Sequence, residues 1–386
     1  MFELSERLKK LPPYLFVEID KAKREARSQG RDLIDLGIGD PDTPTPSFII
    51  DKLYEAAKDP ANHRYALDAG LMSLRQSIAK WYKDRFNVTL SQDNEILPLI
   101  GSKEGIAHFP LAVLNKGDYS LIPDPCYPPY KGGTLFADGK IFLMPLLSKN
   151  NFLPDLNKIR AAVLKKAKII YINYTNNPTS AVANDEFYKE LIDFAIKNKI
   201  IIVSDLAYTE ICFDGYKPKS LLEFQGSRDC VIEFHSLSKT YNMTGWRIGW
   251  ACGNAELVGL LAKVKSNIDS GVFQAIQVVG IEALEKGQEH LEKMCAVYQE
   301  RRDVLAGGLK SLGLNFNLPK ATFYLWAKVP KRYDSRSFAK LLLEKSDIVV
   351  TPGVGFGKFG EGYVRFALTV DKERIKEAIE RIKKVL

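Results

Sequence analysis

Near the middle of the chain, Ser236-Leu237-Ser238-Lys239-Thr240-Tyr241-Asn242-Met243-Thr244-Gly245-Trp246-Arg247-Ile248-Gly249-Trp250 sets one lysine among hydroxyls and an arginine. Ser236, Ser238 and Arg247 are donor types that hold a phosphate, and Lys239 lies between them. A lysine amine becomes a nucleophile toward aldehydes when its surroundings lower its pKa. The combination suits an aldehyde cofactor that carries a phosphate, which is pyridoxal 5'-phosphate (PLP). Read alone, the same residues also fit an exposed basic turn.

Further residues extend that chemistry. Asp205 closes the apolar run Ile200–Val203 and Ser204. A carboxylate there needs a cation or strong donors. A pyridinium nitrogen would serve, and a protonated ring nitrogen makes the ring an electron sink. Tyr208 and Asn177 are placed to donate to the phenolic oxygen of such a ring, although Asn177-Pro178 is also an ordinary turn signal. Gly101-Ser102-Lys103 follows a strand and opens a helix, where backbone N–H groups bind phosphate. A plain N-cap serine is the simpler alternative. Tyr127 offers a ring to lie on the cofactor, or equally a core aromatic.

These residues need a scaffold that gathers strand ends. Short apolar runs at Glu95–Ile100, Tyr119–Ile122, Ile141–Met144, Lys168–Ile172, Ile200–Ser204 and Val231–Phe234 read as strands. Helical patterns separate most of them, as at Asn184–Asn198 and around Leu71, Leu74, Ile78, Trp81 and Tyr82. The alternation predicts an α/β fold with a mostly parallel central sheet flanked by helices. After residue 254 the pattern changes. One long helical stretch, Ile281–Leu312, precedes a strand at Thr322–Lys328, a helix at Ser335–Glu344, strands at Ile348–Val350 and Tyr363–Leu368, and a last helix. The expected division is a large domain over 41–280 and a smaller α+β domain from 1–40 and 281–386.

Bulk properties exclude several classes. The net charge of +8 is scattered among acids, so nucleic acid is not an expected partner. No apolar run reaches membrane length. The first ten residues, MFELSERLKK, contain no apolar signal core, so a cytoplasmic location is expected. The five cysteines form no C-x-x-C pair and the four histidines lie far apart. No metal site and no disulfide framework is expected. Gly355, Gly357 and Gly360 spell G-x-G-x-x-G, but a strand rather than a helix follows. A flexible loop is a better reading than a dinucleotide fingerprint.

With these residues in place, the chain resembles the fold-type-I PLP aminotransferases of class I and II over nearly its whole length. The S-L-S-K-T…R segment, N-N-P-T, D-x-A-Y, G-S-K-E-G and the closing Arg365 carry the likeness. The resemblance implies that Lys239 bonds the cofactor and shuttles the proton, with Asp205 at the ring nitrogen. It implies Asn177 and Tyr208 at the phenolic oxygen and Tyr127 stacked on the ring. Ser102, Lys103, Ser236, Ser238 and Arg247 would take the phosphate, joined by Tyr65 from across a homodimer interface. Arg365 would fork onto the substrate carboxylate, a task that favours arginine over lysine. Tyr14, Gly39, Tyr65, Lys103, Tyr127 and Asn177 would be further substrate-side contacts. Where the family carries glycine after N-P-T this chain has Ser180, which is strained if the position needs positive φ.

The stretches Leu99–His108, Glu233–Ile248 and Lys265–Gln274 are most similar to the LL-diaminopimelate aminotransferases of lysine biosynthesis. That likeness implies small amino-acid and 2-oxo-acid substrates. An aspartate, alanine or aromatic aminotransferase and a PLP-dependent carbon–sulfur lyase are the alternatives. A PLP-sensing transcription regulator would need a DNA-binding domain, for which the residues before the fold are too few.

Overall fold

The computed structural model describes residues 2–11, 15–66 and 69–386. A two-residue strand, β1 (Ile34–Asp35), comes first. Seven strands then build the main sheet: β2 (Ile96–Leu99), β3 (Tyr119–Asp124), β4 (Lys140–Pro145), β5 (Ala167–Ile172), β6 (Ile201–Asp205), β7 (Val231–Ser236) and β8 (Gly249–Gly253). Their order is β2-β8-β7-β6-β5-β3-β4. All neighbours pair in parallel except β8, which runs antiparallel to β7 and to β2.

Both faces of this sheet are covered, which is why its strands read as continuous apolar runs. Alternate residues still part company, as the period of two requires. Ile170, Ile172 and Ile202 join one core, while Ile169, Tyr171, Val203, Ile232 and Phe234 join the other. The covering helices take local signals. Asn184 caps the helix Asp185–Asn198 by accepting from the Phe187 N–H. The helix Met72–Phe86 buries Leu74, Ile78, Tyr82 and Phe86, one turn apart.

Beyond the main sheet lie β9 (Asn315–Phe316), β10 (Tyr324–Lys328), β11 (Ile348–Val349), β12 (Thr351–Pro352) and β13 (Tyr363–Ala367). β12-β13-β10-β9 form an antiparallel sheet, and β1 runs parallel to β11. The early and late parts of the chain therefore meet through β1 and β11.

Three expectations change. Strand β8 was not foreseen, because its small residues Gly249, Ala251 and Gly253 do not form an apolar run. The stretch Ile281–Leu312 is not one helix: helices Gln274–Lys286 and Gln288–Ser311 meet at Gly287, a residue of poor helix propensity. The glycine segment near 355 is a packed turn rather than a flexible loop. A Cβ on Gly357 would sit 2.2 Å from the Asp124 carboxylate, and the same residue has φ of 145°. Among the described residues no helix is long and apolar enough to cross a membrane.

Candidate active site

Parallel strands end on one edge of a sheet, so the loops that follow them converge there. β3 leads to Tyr127, β5 to Asn173 and Asn177, β6 ends on Asp205, and β7 ends on Ser236 ahead of Ser238 and Lys239. β2 leads to Gly101 and the helix Ser102–Val113. Because β8 runs the other way, its start lies at the same edge, and Arg247 arrives just before it. Gly39, Ser102, Lys103, Tyr127, Asn177, Asp205, Tyr208, Ser236, Ser238, Lys239, Arg247 and Arg365 all line one cavity of about 550 Å³.

At one end of the cavity lie hydrogen-bond donors of the types that hold a phosphate. Ser102 is the first residue of its helix, so its turn presents unpaired N–H groups. Ser236 caps the short helix Leu237–Thr240 and accepts from Ser238 N at 3.2 Å. Arg247 bonds the Thr244 carbonyl through Nη1 at 2.8 Å, which sets its guanidinium at the rim.

Deeper in, Lys239 Nζ donates to the Gly39 carbonyl at 2.7 Å. Burial brings this amine down to about 8; Asp40 opposes the shift, and Arg365 and Arg247 add to it. Asp205 is buried, and burial pushes its carboxyl up to about 6 against hydrogen bonds from Tyr130 and the Ala207 N–H. Among the described residues no cation offsets that burial. Tyr208 shares a 2.9 Å hydrogen bond with the Tyr324 hydroxyl, and burial drives its phenol well above the usual value, so it stays a donor.

The far end holds Arg365, on β13. Its Nη1 donates to Asn177 Oδ1 at 2.8 Å and its Nη2 to the Gly37 carbonyl at 2.7 Å. The guanidinium lies 4.0 Å from the Tyr324 ring centre and 4.7 Å from that of Phe356. Its Nε is buried and has no hydrogen-bond partner among the described residues. With Asn177 Oδ1 so engaged, the amide nitrogen is the end left to donate. Ser180 does adopt positive φ, 59°, and its hydroxyl offsets the strain by donating to the Tyr324 carbonyl at 2.6 Å.

The chain matches the family model "Aminotransferase class I and II" over residues 31–382. It belongs to that family. An LL-diaminopimelate aminotransferase of Moorella thermoacetica is 53% identical over 99% of this chain and 98% of its own length. One of Halothermothrix orenii is 54% identical over 99% of this chain and 98% of its own. Among solved structures, substrate-bound BacF from Bacillus subtilis superposes with a TM-score of 0.95. It is 36% identical, covering all of this chain (100%) and 98% of that one. The fold of this aminotransferase is the fold-type-I arrangement expected from its motifs.

One named residue stands apart from the cavity. Tyr65 is 88% exposed and does not line it. Tyr14 lies outside the described residues. Conversely, Asn173, Thr244, Tyr324 and Phe356 line the cavity of this aminotransferase without having been singled out. Asn173 ties the Asp205 carbonyl (2.7 Å) to the Asn177 N–H (2.8 Å), and its only signal was its place after a strand. Tyr324 carried a weaker signal, since Phe323-Tyr324 reads as ordinary strand. Its hydroxyl fills the space where a Cβ on Gly39 would be, 1.8 Å away, so glycine is required there.

Proposed function

We propose that this aminotransferase uses PLP to move an amino group between LL-diaminopimelate and 2-oxoglutarate, by ping-pong kinetics. The observation that carries the cofactor reading is Asp205: a buried carboxylate with no cation beside it among the described residues, in one cavity with a lysine of lowered pKa and a cluster of groups suited to a phosphate. That donor set matches the ring nitrogen, aldehyde and phosphate of PLP. The substrate reading rests on relatives of that name at more than half identity over almost their full lengths.

Each residue then has a task. Lys239 would bond the aldehyde and Asp205 would face the ring nitrogen. Tyr208 and the Asn177 amide would donate to the phenolic oxygen, and Tyr127 would lie on the ring. Ser102, Lys103, Ser236, Ser238 and Arg247 would hold the phosphate. When bound, PLP supplies an electron sink for the pair left at the substrate Cα. Lys239 Nζ, held beside the Gly39 carbonyl with its pKa lowered to about 8, would take the proton from Cα and return it at C4′ of the cofactor, from the same face. Arg365 is preorganised by Asn177 and Gly37 to grip the substrate carboxylate, which fixes the Cα–H bond toward Lys239. Gly39, Lys103 and Tyr14 would complete the substrate side.

The exposure of Tyr65 fits a residue that serves the site of a second copy, so we place it at the phosphate of the partner in a homodimer. Residues 41–280 form the large domain of this reading, and 1–40 with 281–386 the small one. A cytoplasmic location goes with the biosynthetic role.

The test is the absorption spectrum of the purified chain with PLP, followed by LL-diaminopimelate and 2-oxoglutarate with glutamate as readout. A cofactor band that shifts as glutamate appears supports cofactor and substrate together. A response only to aspartate, alanine or an aromatic amino acid leaves the cofactor and removes the substrate. Ammonia with pyruvate or 2-oxobutyrate points to a lyase, and no band at all overturns the cofactor.

A further inference from the structure

We infer that Tyr130 is a positioning residue for Asp205: its hydroxyl holds the carboxylate ionised and aimed at the cofactor's ring nitrogen, and so sets the preference for a ring that contains that nitrogen. The inference rests on the PLP reading above.

Tyr130 is fully buried and does not line the cavity, so it acts through another group. Its hydroxyl donates to Asp205 Oδ2 at 2.7 Å. The other carboxylate oxygen receives a longer bond, 3.3 Å, from the Ala207 N–H. Tyr130 is therefore a stronger donor to this carboxylate than the Ala207 N–H. A hydrogen bond to an ionised acceptor is the strong kind, and a buried charge that loses such a donor tends to protonate instead. Burial keeps the Tyr130 phenol well above its usual pKa, so it donates and does not compete as an anion.

The ring has little freedom to do anything else. It stacks on Tyr171 with centres 4.8 Å apart and planes at 13°. Its backbone carbonyl accepts from Thr134 Oγ1 at 2.8 Å, and that hydroxyl lies 2.9 Å from Ser120 Oγ on β3. The edge of Tyr127 meets it at 5.9 Å between ring centres. One short segment, Tyr127 to Tyr130, thus governs both the face of the cofactor and the charge beneath its nitrogen.

The experiment uses the full chain stripped of cofactor and titrated with PLP and with its 1-deaza analogue, in which CH replaces the ring nitrogen. Tyr130→Phe keeps the stacked ring and removes only the hydroxyl. It should weaken PLP binding about tenfold or more and change analogue binding less than about twofold, since only PLP uses the Asp205 charge. In an Asp205→Asn background the same substitution should leave the preference unmoved. If both ligands weaken alike, or neither does, the positioning role is overturned while the PLP reading stands. If the unsubstituted chain fails to bind PLP, that reading falls and the inference with it. Should Tyr130→Phe alone not fold, recovery of the fold by adding Asp205→Asn supports the coupling, and no recovery overturns it.

Discussion

That Lys239 and Asp205 share one cavity agrees with their reading from type and place, as a lone lysine among hydroxyls and an arginine and a carboxylate at a strand end. Their energetics were not legible there, because burial sets them. The Lys239 amine lies near 8 in the fold, against an ordinary value of 10.5. Between these pH values the unfolded chain holds a proton that the folded chain has released. Stability from this group therefore rises with pH through that window and is lowest below about 8. Lys239→Met in the cofactor-free chain should gain on the parent at pH 7 and lose that gain toward pH 10.5. The expected size is on the order of 1–2 kcal/mol, given partial solvent contact, read by denaturant unfolding. A gain that does not vary with pH would contradict the lowered pKa. At the other end of the cavity, Arg365→Lys keeps the charge but loses the fork that joins Asn177 and Gly37 and that is proposed to grip the substrate. KM for amino donors should rise about tenfold or more. An unchanged KM would remove Arg365 from the carboxylate. Tyr130 and Asn173 were not legible, since a tyrosine after Pro-Pro and an asparagine after a strand look like core and turn until their partner is located.

Strands and helices were readable wherever burial was simple. The parallel strands announced themselves as apolar runs, and Asn184 marked its helix start. β7 hides a complication: Glu233 within it is fully buried and accepts from Tyr82, Ser220 Oγ and the Leu221 N–H. β8 escaped notice because glycine and alanine suit a strand only when neighbours crowd it. The turn at Gly353–Gly360 shows the reverse case, an evident motif whose meaning lay elsewhere. Phe359 N–H donates to Asp124 Oδ1 at 2.9 Å, and the Cys126 N–H donates to the Phe356 carbonyl at 3.0 Å. This docking sets the Phe356 ring beside Arg365. Gly357→Ala should cost about 1–3 kcal/mol from backbone strain, and more where the new Cβ meets Asp124. Chemical denaturation would measure it, and a loss under about 0.5 kcal/mol would mean the turn is looser than described.

The proposed homodimer adds what no single chain can test. If Tyr65 completes the partner's site, a subunit carrying Tyr65→Ala and one carrying Lys239→Ala each have a defect, and in their hybrid dimer both defects fall in the same site. One site then holds both faults and the other neither. Mixing the two inactive or weakened variants under exchange conditions should restore activity, and no gain on mixing would argue for sites built within one chain. Residue order had already decided a great deal here. Alternating patterns set an α/β fold, since covered parallel strands must be apolar on both faces. Polar residues at the ends of those runs were bound to meet in one cavity, because loops after parallel strands share one edge. The rest waited on packing. Which tyrosine reaches Asp205, how far burial shifts Lys239, and why Gly39 must yield to Tyr324 depend on contacts between residues tens to hundreds of positions apart. Local pattern carries no record of such distances, and only the closed fold supplies them.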